Sequence, residues 1–302
     1  MRSQLFFRII YSPKINYLIR NMSKFLKPIL PIHLMIPPVG VIRFDVNGRR
    51  VKFAVNQTSF FGTIIFWLKY RKFEYTDIFC DLINEIDCFF DIGANIGYYS
   101  LLAASINPRI TVKSFEPSTG PLFYLRKNIA LNRFQNLITA ESIALSDYNG
   151  EIDFYEMKTG KYKYPGFDFD LSGEGNTGSL TEERNFVIIK VDTLTLDEYF
   201  HQHQNLKIDL IKIDTEGTEH LILRKSHEIL KTMKPIIICE TLFNKIESEL
   251  EEIMLEFGYE FYNHVHEGLK QVSTIKRNED NNVRNCFFVH PSKKDLIKKF
   301  IV

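Results

Sequence analysis

From residue 88 onward, short apolar runs alternate with longer segments whose apolar residues recur every three or four positions. The first pattern is typical of buried strands and the second of amphipathic helices, so we predict an α/β fold with a mostly parallel sheet. No helical segment separates the last two runs, so one of those strands should be antiparallel. The predicted strands are DCFFDIG, ITVKSFEP, LITAESIALSD, KIDLIKIDTEG, KPIIICE, YEFYNHV and NCFFVH.

The residues before this alternation form two further units. Residues 41–84 begin with two alternating segments around Asn47 and Gly48, a pair that favours a tight hairpin, and continue with a helical pattern. Residues 1–40 show a helical pattern that ends in a proline-rich linker. We therefore divide the chain into this arm, the hairpin unit, a main domain of residues 85–292 and a basic C-terminal tail of residues 293–302.

The arm has an unusual charge balance, because no acidic residue precedes Asp45. Charges interrupt its apolar runs, so neither a transmembrane helix nor a secretion signal is expected. Two interpretations stay open: the arm packs on the main domain, or residues 1–30 contact an anionic membrane surface. We expect a cytoplasmic protein, peripheral at the inner face of the membrane in the second case. The basic residues of this region are Arg2, Arg8, Lys14, Arg20, Lys24, Lys27 and Arg43.

Composition narrows the function classes. The chain has 302 residues and a net charge of +1, so no global basic charge indicates a nucleic-acid partner. The cysteines have no pairwise spacing typical of zinc ligands, and we expect buried, reduced thiols and no structural zinc. They are Cys80, Cys88, Cys239 and Cys286.

The segment FFDIGANIGYYS carries the main chemical signal. Dinucleotide-binding folds use G-x-G-x-x-G at this position to bring a pyrophosphate to a helix N-terminus. Here Asp91 precedes Gly93, Asn95 and Gly97 in a D-x-G-x-N-x-G pattern, and a carboxylate at this point would repel a pyrophosphate. It suits a ligand with an ammonium group instead, such as S-adenosylmethionine.

Acidic residues also follow two further predicted strands. Glu116 lies 19 residues after Gly97, where an acid can accept hydrogen bonds from ribose hydroxyls, although it could also cap the next helix. Asp214, Glu216 and Glu219 stand within six residues at the end of a later strand. Helix capping does not require three acids, so we predict that Asp214 reaches the floor of a pocket.

The chain resembles the FkbM family of S-adenosylmethionine-dependent methyltransferases. The matching segments are, in order, FFDIGANIGYYS, SFEP, ALSDYNG, NTGSL, VDTLTLDEY, DLIKIDTEGTEHLIL and KPIIICE, about half the chain. The resemblance implies a Rossmann-like class I methyltransferase fold with a seven-stranded sheet and an antiparallel final strand. It also implies that Asp91, Gly93, Asn95 and Gly97 form the cofactor loop and that Glu116 binds the ribose. Ser142 to Asp147 would then line the adenine, with Asp147 either holding its amino group or capping a turn.

The family also implies O-methylation of a hydroxyl on a sugar, glycan or small metabolite. Asp214 and Glu216 are the predicted catalytic residues, because an alcohol acceptor benefits from a nearby base. We interpret His220 as a solvent-facing or packing histidine outside the reaction. Glu219, Glu240, Asn176 and Ser179 are predicted to contact the acceptor. These carboxylates could ligate Mg²⁺, but no metal is expected.

The long segment 157–183 is predicted to act as part of a lid. Its aromatic side chains could stack on the acceptor or simply pack the segment down; they are Tyr162, Tyr164, Phe167 and Phe169.

Three other functions remain alternatives. A nicotinamide-dependent oxidoreductase lacks its glycine motif here, and a non-catalytic scaffold would have little need for the intact acidic set. A nucleic-acid methyltransferase should show an N-P-P-Y type tetrapeptide or a basic aromatic stripe, and the core has neither. The acceptor and the oligomeric state stay open.

Overall fold

The computed structural model describes residues 2–26, 35–158, 160–172, 186–203 and 206–302. Its centre is an eight-stranded sheet in the order β12-β11-β13-β10-β9-β3-β4-β5. The strands of the chain are β1 (Gly40–Val46), β2 (Arg49–Val55), β3 (Cys88–Ile92), β4 (Thr111–Phe115), β5 (Ile138–Glu141), β6 (Ala144–Leu145), β7 (Gly150–Met157), β8 (Phe186–Leu194), β9 (Leu210–Ile213), β10 (Ile236–Glu240), β11 (Glu260–Val265), β12 (Gly268–Val272) and β13 (Asn285–Val289).

Helices cover both faces of this sheet. Buried side chains form one large cluster on each face, and strands β3, β4, β9 and β10 contribute to both clusters. The helices are α1 (Arg2–Ile10), α2 (Pro13–Leu26), α3 (Phe60–Leu68), α4 (Thr76–Leu82), α5 (Tyr98–Ile106), α6 (Thr119–Asn132), α7 (Leu196–Gln202), α8 (Glu219–Arg224), α9 (His227–Thr232), α10 (Glu247–Glu256) and α11 (Lys294–Ile297). Among the described residues, no helix is long and apolar enough to cross a bilayer.

The strand directions confirm the predicted sheet class. Strands β5, β4, β3, β9 and β10 are mutually parallel, and β13 inserts antiparallel between β10 and β11. The sheet has eight strands rather than the predicted seven, because β12 extends its edge by pairing antiparallel with β11. This strand carries only Leu269 and Val272 as aliphatic residues, so its hydrophobic pattern was too weak to predict it.

The hairpin at Asn47 and Gly48 is confirmed, and it is docked on helix α6. Asn47 and Gly48 have φ angles of 50° and 83°, the left-handed conformation that a two-residue turn of this kind requires. Strand β2 then runs alongside α6, where the Asn128 Oδ1 atom accepts from the Ala54 amide at 2.6 Å. The hairpin is therefore built into the main core through α6.

Three predicted elements differ from the structure. The long helical pattern of residues 57–86 breaks between α3 and α4, where Lys69 and Glu74 adopt positive φ angles. The predicted strand LITAESIALSD divides into β5 and β6, and β6 joins a separate three-stranded sheet with β8 and β7. The C-terminal residues are not a free tail, because Ile297 is fully buried and Ile301 bridges Leu269 at the sheet edge.

Candidate active site

A cavity of about 430 Å³ opens at the carboxyl ends of β3, β4, β9 and β10. In parallel α/β sheets this edge is where ligands bind. Toward β5 the lining is mainly apolar, whereas toward β10 it is acidic. The apolar part includes Phe115, Ile143, Ala144, Leu145 and Phe154, and the carboxylates of the lining are Glu74, Glu116, Asp214, Glu216 and Glu240.

The loop between β3 and α5 forms the central wall, and its two glycines are required by the protein itself. A Cβ atom on Gly93 would lie 1.9 Å from the Asp214 carbonyl oxygen, and one on Gly97 would lie 2.5 Å from Leu125 Cδ1. Both residues also have positive φ angles. Of the four predicted loop residues, Gly93 and Asn95 line the cavity, while Asp91 and Gly97 lie beneath it.

Glu116 holds this loop in place from the end of β4. Its two carboxylate oxygens accept from the Asn95 amide at 2.7 Å and from the Ser118 amide at 2.9 Å. Burial raises the pKa of Glu116 to about 7, against the lowering effect of these hydrogen bonds. The residue lines the cavity as predicted, with carboxylate lone pairs beyond those used by the backbone.

Asp91 does not reach the cavity, which corrects its predicted contact with a ligand ammonium group. Its side chain is buried and accepts from the amide and hydroxyl of Ser100. Its second oxygen lies 3.7 Å from the Nζ atom of Lys212. Burial raises the pKa of Asp91, and Lys212 opposes that rise.

Lys212 is the most important residue that sequence reasoning missed. This buried side chain comes from β9 and donates to the Gly93 carbonyl at 2.9 Å, while its Nζ atom lies 3.2 Å from Asp214 Oδ2. It therefore ties the β3 loop to the end of β9. The signal that could have found it was a lysine inside an otherwise apolar strand, since a buried lysine requires paired carboxylates.

The turn after β9 presents Asp214 and Glu216 to the cavity. Glu216 has a φ angle of 59°, an unfavourable value for a residue with a side chain. Glu219 stabilises this turn, because its carboxylate accepts from the Thr215 amide at 2.7 Å and from the Gly217 amide at 3.1 Å. Glu219 is 1% exposed and does not line the cavity, so we assign it to the turn rather than to the acceptor.

Three carboxylates come together at the acidic part of the cavity. One oxygen from each of Asp214, Glu216 and Glu240 lies within 4.8 Å of the others. The Glu240 Oε2 atom is buried without a hydrogen-bond partner. Burial, followed by the neighbouring charge of Asp214, raises the pKa of Glu240 to about 9. The three carboxyl groups therefore repel one another when ionised, and a cation beside them would relieve that repulsion.

Glu74 adds a fourth acid, which sequence reasoning also missed. The break between α3 and α4 turns this residue into the cavity mouth, where water still reaches it although protein surrounds it. Burial and the charge of Asp214 raise the pKa of Glu74 to about 7.

The segment of residues 160–172 closes one side of the cavity. It contributes Leu171 and Ser172 to the lining. Its aromatic side chains pack the segment down instead of lining the cavity: Tyr162 contacts Phe7 of α1, and Tyr164 accepts from Gln57 at 2.7 Å. The predicted acceptor residues Asn176 and Ser179 lie outside the described residues.

Three other predicted positions lie away from the cavity. Ser142 lines a neighbouring surface hollow, and Ile143 to Ser146 take the expected place beside the apolar wall. Asp147 is outside the lining, where it accepts from the Ser146 hydroxyl at 3.3 Å. His220 is outside the lining as well, in agreement with its interpretation as a packing residue.

The sheet order and the position of the cavity define a class I methyltransferase fold. The sequence profile of the methyltransferase FkbM domain matches residues 91–261, more than half of the chain. The chain therefore belongs to the FkbM family of methyltransferases. Its four cysteines are buried free thiols, as expected.

Similar proteins carry related names. The chain is 27% identical over 179 residues to the 31-O-demethyl-FK506 methyltransferase FkbM of Streptomyces tacrolimicus, across 50% of this chain and 67% of that protein. It is 28% identical over 152 residues to the 2-O-methyltransferase NoeI of Sinorhizobium fredii, across 46% of this chain and 57% of that protein. A crystal structure of methyltransferase FkbM from Methylobacillus flagellatus aligns with a TM-score of 0.43 and 14% identity, over 68% of this chain and 43% of that chain.

Proposed function

We propose that this chain transfers a methyl group from S-adenosylmethionine to a hydroxyl oxygen of a sugar, glycan or small-metabolite acceptor. The observation that carries the proposal is the acidic lining of the cavity: Asp214 and Glu216 stand beside Glu74 and Glu240, whose pKa values burial and neighbouring carboxylates raise. The buried Lys212 beside Asp214 is the cation of this region. S-adenosylmethionine has an ammonium and a sulfonium group and no phosphate. A nicotinamide dinucleotide would instead place its pyrophosphate among carboxylates, so the same lining disfavours an oxidoreductase.

The residues present fit this cofactor in two ways. Glu116 has free lone pairs facing the cavity and would accept hydrogen bonds from two vicinal ribose hydroxyls. The apolar lining contributed by Phe115, Ala144 and Leu145 suits a flat adenine ring. Asp214 replaces Asp91 as our candidate partner of the ammonium group, because its side chain is 37% exposed at the cavity while that of Asp91 is 1% exposed.

When bound, S-adenosylmethionine supplies a methyl group activated by the adjacent sulfonium. The chain contributes orientation and a proton acceptor. Asp214 or Glu216 would accept the proton of the acceptor hydroxyl as its oxygen becomes the nucleophile. Glu240 would begin protonated at neutral pH, because its pKa is raised to about 9, and could donate a hydrogen bond to the acceptor. We assign this acidic part to organic cations and expect no metal ion.

The proposed acceptor class is based on the names of similar proteins. One relative is named 2-O-methyltransferase NoeI and the other 31-O-demethyl-FK506 methyltransferase FkbM, so an oxygen acceptor is what the two names share. We propose a hydroxyl-bearing acceptor on that basis, without a nucleic-acid partner. We place the protein inside the cell, at or near the membrane. The buried free thiols and the basic arm of residues 1–40 support this proposal.

Calorimetric titration of the chain with S-adenosylmethionine in EDTA tests the cofactor, with NADH as the comparison ligand. We expect saturable binding of S-adenosylmethionine alone. Asp214→Asn should weaken it about tenfold, because one charge-assisted contact is lost. A variant at Asp91 would not test the same contact, since Asp91 is the fully buried carboxylate beside Lys212 and lies outside the cavity lining.

Two results would contradict the proposal. The first is binding of NADH with equal or higher affinity. The second is binding of S-adenosylmethionine that disappears in EDTA and returns with MgCl₂, which would assign the acidic part to a metal. With a panel of alkyl hexosides and alkyl 2-aminohexosides as acceptors, methyl transfer should produce methyl ethers detectable by NMR. Methylation of the amino nitrogen in place of a hydroxyl would exclude the oxygen assignment.

A further inference from the structure

Helix α2 packs on the rest of the protein with its polar side inward. Its buried residues are Asn16 and Arg20. Asn16 donates to the Pro37 carbonyl at 3.1 Å and accepts from the Val39 amide at 2.8 Å, and Arg20 donates to the Val39 carbonyl at 3.0 Å. An amphipathic helix that served only to complete a core would bury its apolar side.

The apolar side of α2 faces away from these contacts. Ile15, Leu18, Met22 and Phe25 recur at helical spacing on the side opposite Asn16 and Arg20, and Phe25 is 85% exposed. Helix α1 adds further exposed apolar side chains. Of the eighteen exposed large apolar side chains in the described part of the chain, nine lie in this arm: Leu5, Phe6, Ile9, Ile15, Tyr17, Leu18, Met22, Phe25 and Leu26.

The charged side chains of the two helices themselves are all basic. No acidic residue precedes Asp45 in the sequence, and Arg8, Lys14 and Lys24 are exposed on the two helices. The neighbouring segment adds Lys161 and Lys163, which are also exposed. A surface that combines exposed aliphatic and aromatic side chains with basic residues only is complementary to anionic lipid headgroups above acyl chains.

We propose that the outer face of α1 and α2 binds an anionic lipid bilayer. This goes beyond the proposed methyl transfer and does not depend on it. A second copy of the chain is a poorer fit, because a symmetric contact through this face would bring basic residues against basic residues.

The opposite side of the arm is attached to the wall of the cavity. Gln4 donates to the Lys161 carbonyl at 3.0 Å and accepts from the Lys163 amide at 2.7 Å, while Phe7 and Tyr11 pack edge-on against Tyr162. The same segment continues to Leu171 in the cavity lining. Lipid binding would therefore hold the cavity close to the bilayer.

Flotation of the full chain with vesicles tests the proposal without any cofactor. We expect the chain to float with vesicles of phosphatidylcholine and phosphatidylglycerol, and much less with phosphatidylcholine alone or at high salt. The double variant Leu18→Ser, Phe25→Ser should lower vesicle partitioning about 10- to 100-fold, since two apolar side chains no longer insert. Leu255→Ser is the matched control, because Leu255 is 54% exposed on α10 and should leave flotation unchanged.

Light scattering of the same proteins measures whether a second copy of the chain binds this face instead of a bilayer. Failure of the wild-type chain to float with anionic vesicles would overturn the proposal. So would flotation that the double variant leaves unchanged, or a wild-type dimer that the double variant dissociates while vesicles bind neither. None of these results would affect binding of S-adenosylmethionine, which is measured separately.

Discussion

The two loops that line the cavity have similar backbone structures, but the glutamates that stabilise them have different roles. In the loop after β3, Asn95 adopts a φ angle of 49° and its amide is held by the carboxylate of Glu116. In the turn after β9, Glu216 adopts a φ angle of 59° and the flanking amides are held by the carboxylate of Glu219. Each loop thus carries a side chain in a left-handed conformation that a glutamate stabilises.

The two glutamates differ in whether their carboxylates face the cavity. Glu116 lines the cavity and remains open to a ligand, whereas Glu219 is buried and fully occupied by its turn. An acidic residue near a strand end can therefore bind a ligand, stabilise its own loop, or do both. Lys212 joins the two loops, because it contacts Gly93, Asp91 and Asp214 together.

Removal of this lysine should have the largest effect. Lys212→Met would leave the Asp91 carboxylate buried without its cation, and we expect a loss of about 3–5 kcal/mol in the free energy of unfolding. Urea denaturation with the ligand-free protein measures it. The double variant Asp91→Asn, Lys212→Met is the control and should recover part of the loss, since it removes both charges. A single variant as stable as the wild type would show that Lys212 does not hold the loops together.

Variants of the two glutamates should have different effects, one on the free energy of unfolding and the other on cofactor affinity. Glu219→Gln should lower the free energy of unfolding by about 1–3 kcal/mol, because the amide cannot accept from all three donors in the turn. Glu116→Gln should weaken S-adenosylmethionine about tenfold, because a charge-assisted hydrogen bond to the ribose becomes neutral.

Urea denaturation and calorimetric titration of both variants make the comparison quantitative. Ser142→Ala is the control for binding, since Ser142 lies outside the cavity, and its affinity should equal that of the wild type. If Glu219→Gln weakened the cofactor while Glu116→Gln did not, the roles assigned to the two loops would be reversed.

Much of this architecture could be predicted from the sequence, because buried parallel strands produce continuous apolar runs that no surface segment imitates. The glycines of FFDIGANIG and the acids after β4, β9 and β10 were identified for the same reason: they stand at the ends of such runs. Glu116, Asp214, Glu216 and Glu240 do line the cavity.

What could not be predicted depends on side-chain direction and on contacts between distant residues. Asp91 belongs to the strand rather than to the loop, and its side chain points to Lys212 from a neighbouring strand 121 positions later in the sequence. The role of Glu219 requires knowing that the turn folds back on its own helix. Glu74 reaches the cavity only because positive φ angles at Lys69 and Glu74 interrupt a pattern that otherwise reads as one helix.

The last prediction concerns the pH dependence of stability that Glu240 causes, and it is read from a series of pH values instead of one condition. Its pKa is raised from 4.5 to about 9 in the folded chain, so the folded state binds more protons than the unfolded state across this interval. Stability contributed by this group therefore falls as pH rises from about 4.5 to about 9, because ionisation favours the unfolded chain. Glu240→Gln should flatten this decline in urea midpoints measured over that range.

The pKa values of Glu74 and Glu116 are raised to about 7, mainly by burial, so both residues contribute to the decline in both proteins. The difference between wild type and variant reports Glu240 together with its effect on the neighbouring carboxylates. Saturating S-adenosylmethionine should reduce the difference, because a cation beside Asp214 and Glu240 favours the charged carboxylate and lowers its pKa. Identical pH profiles for the two ligand-free proteins would mean that Glu240 is already ionised at neutral pH. Glu240 would then not be the protonated hydrogen-bond donor that the proposed function assigns to it.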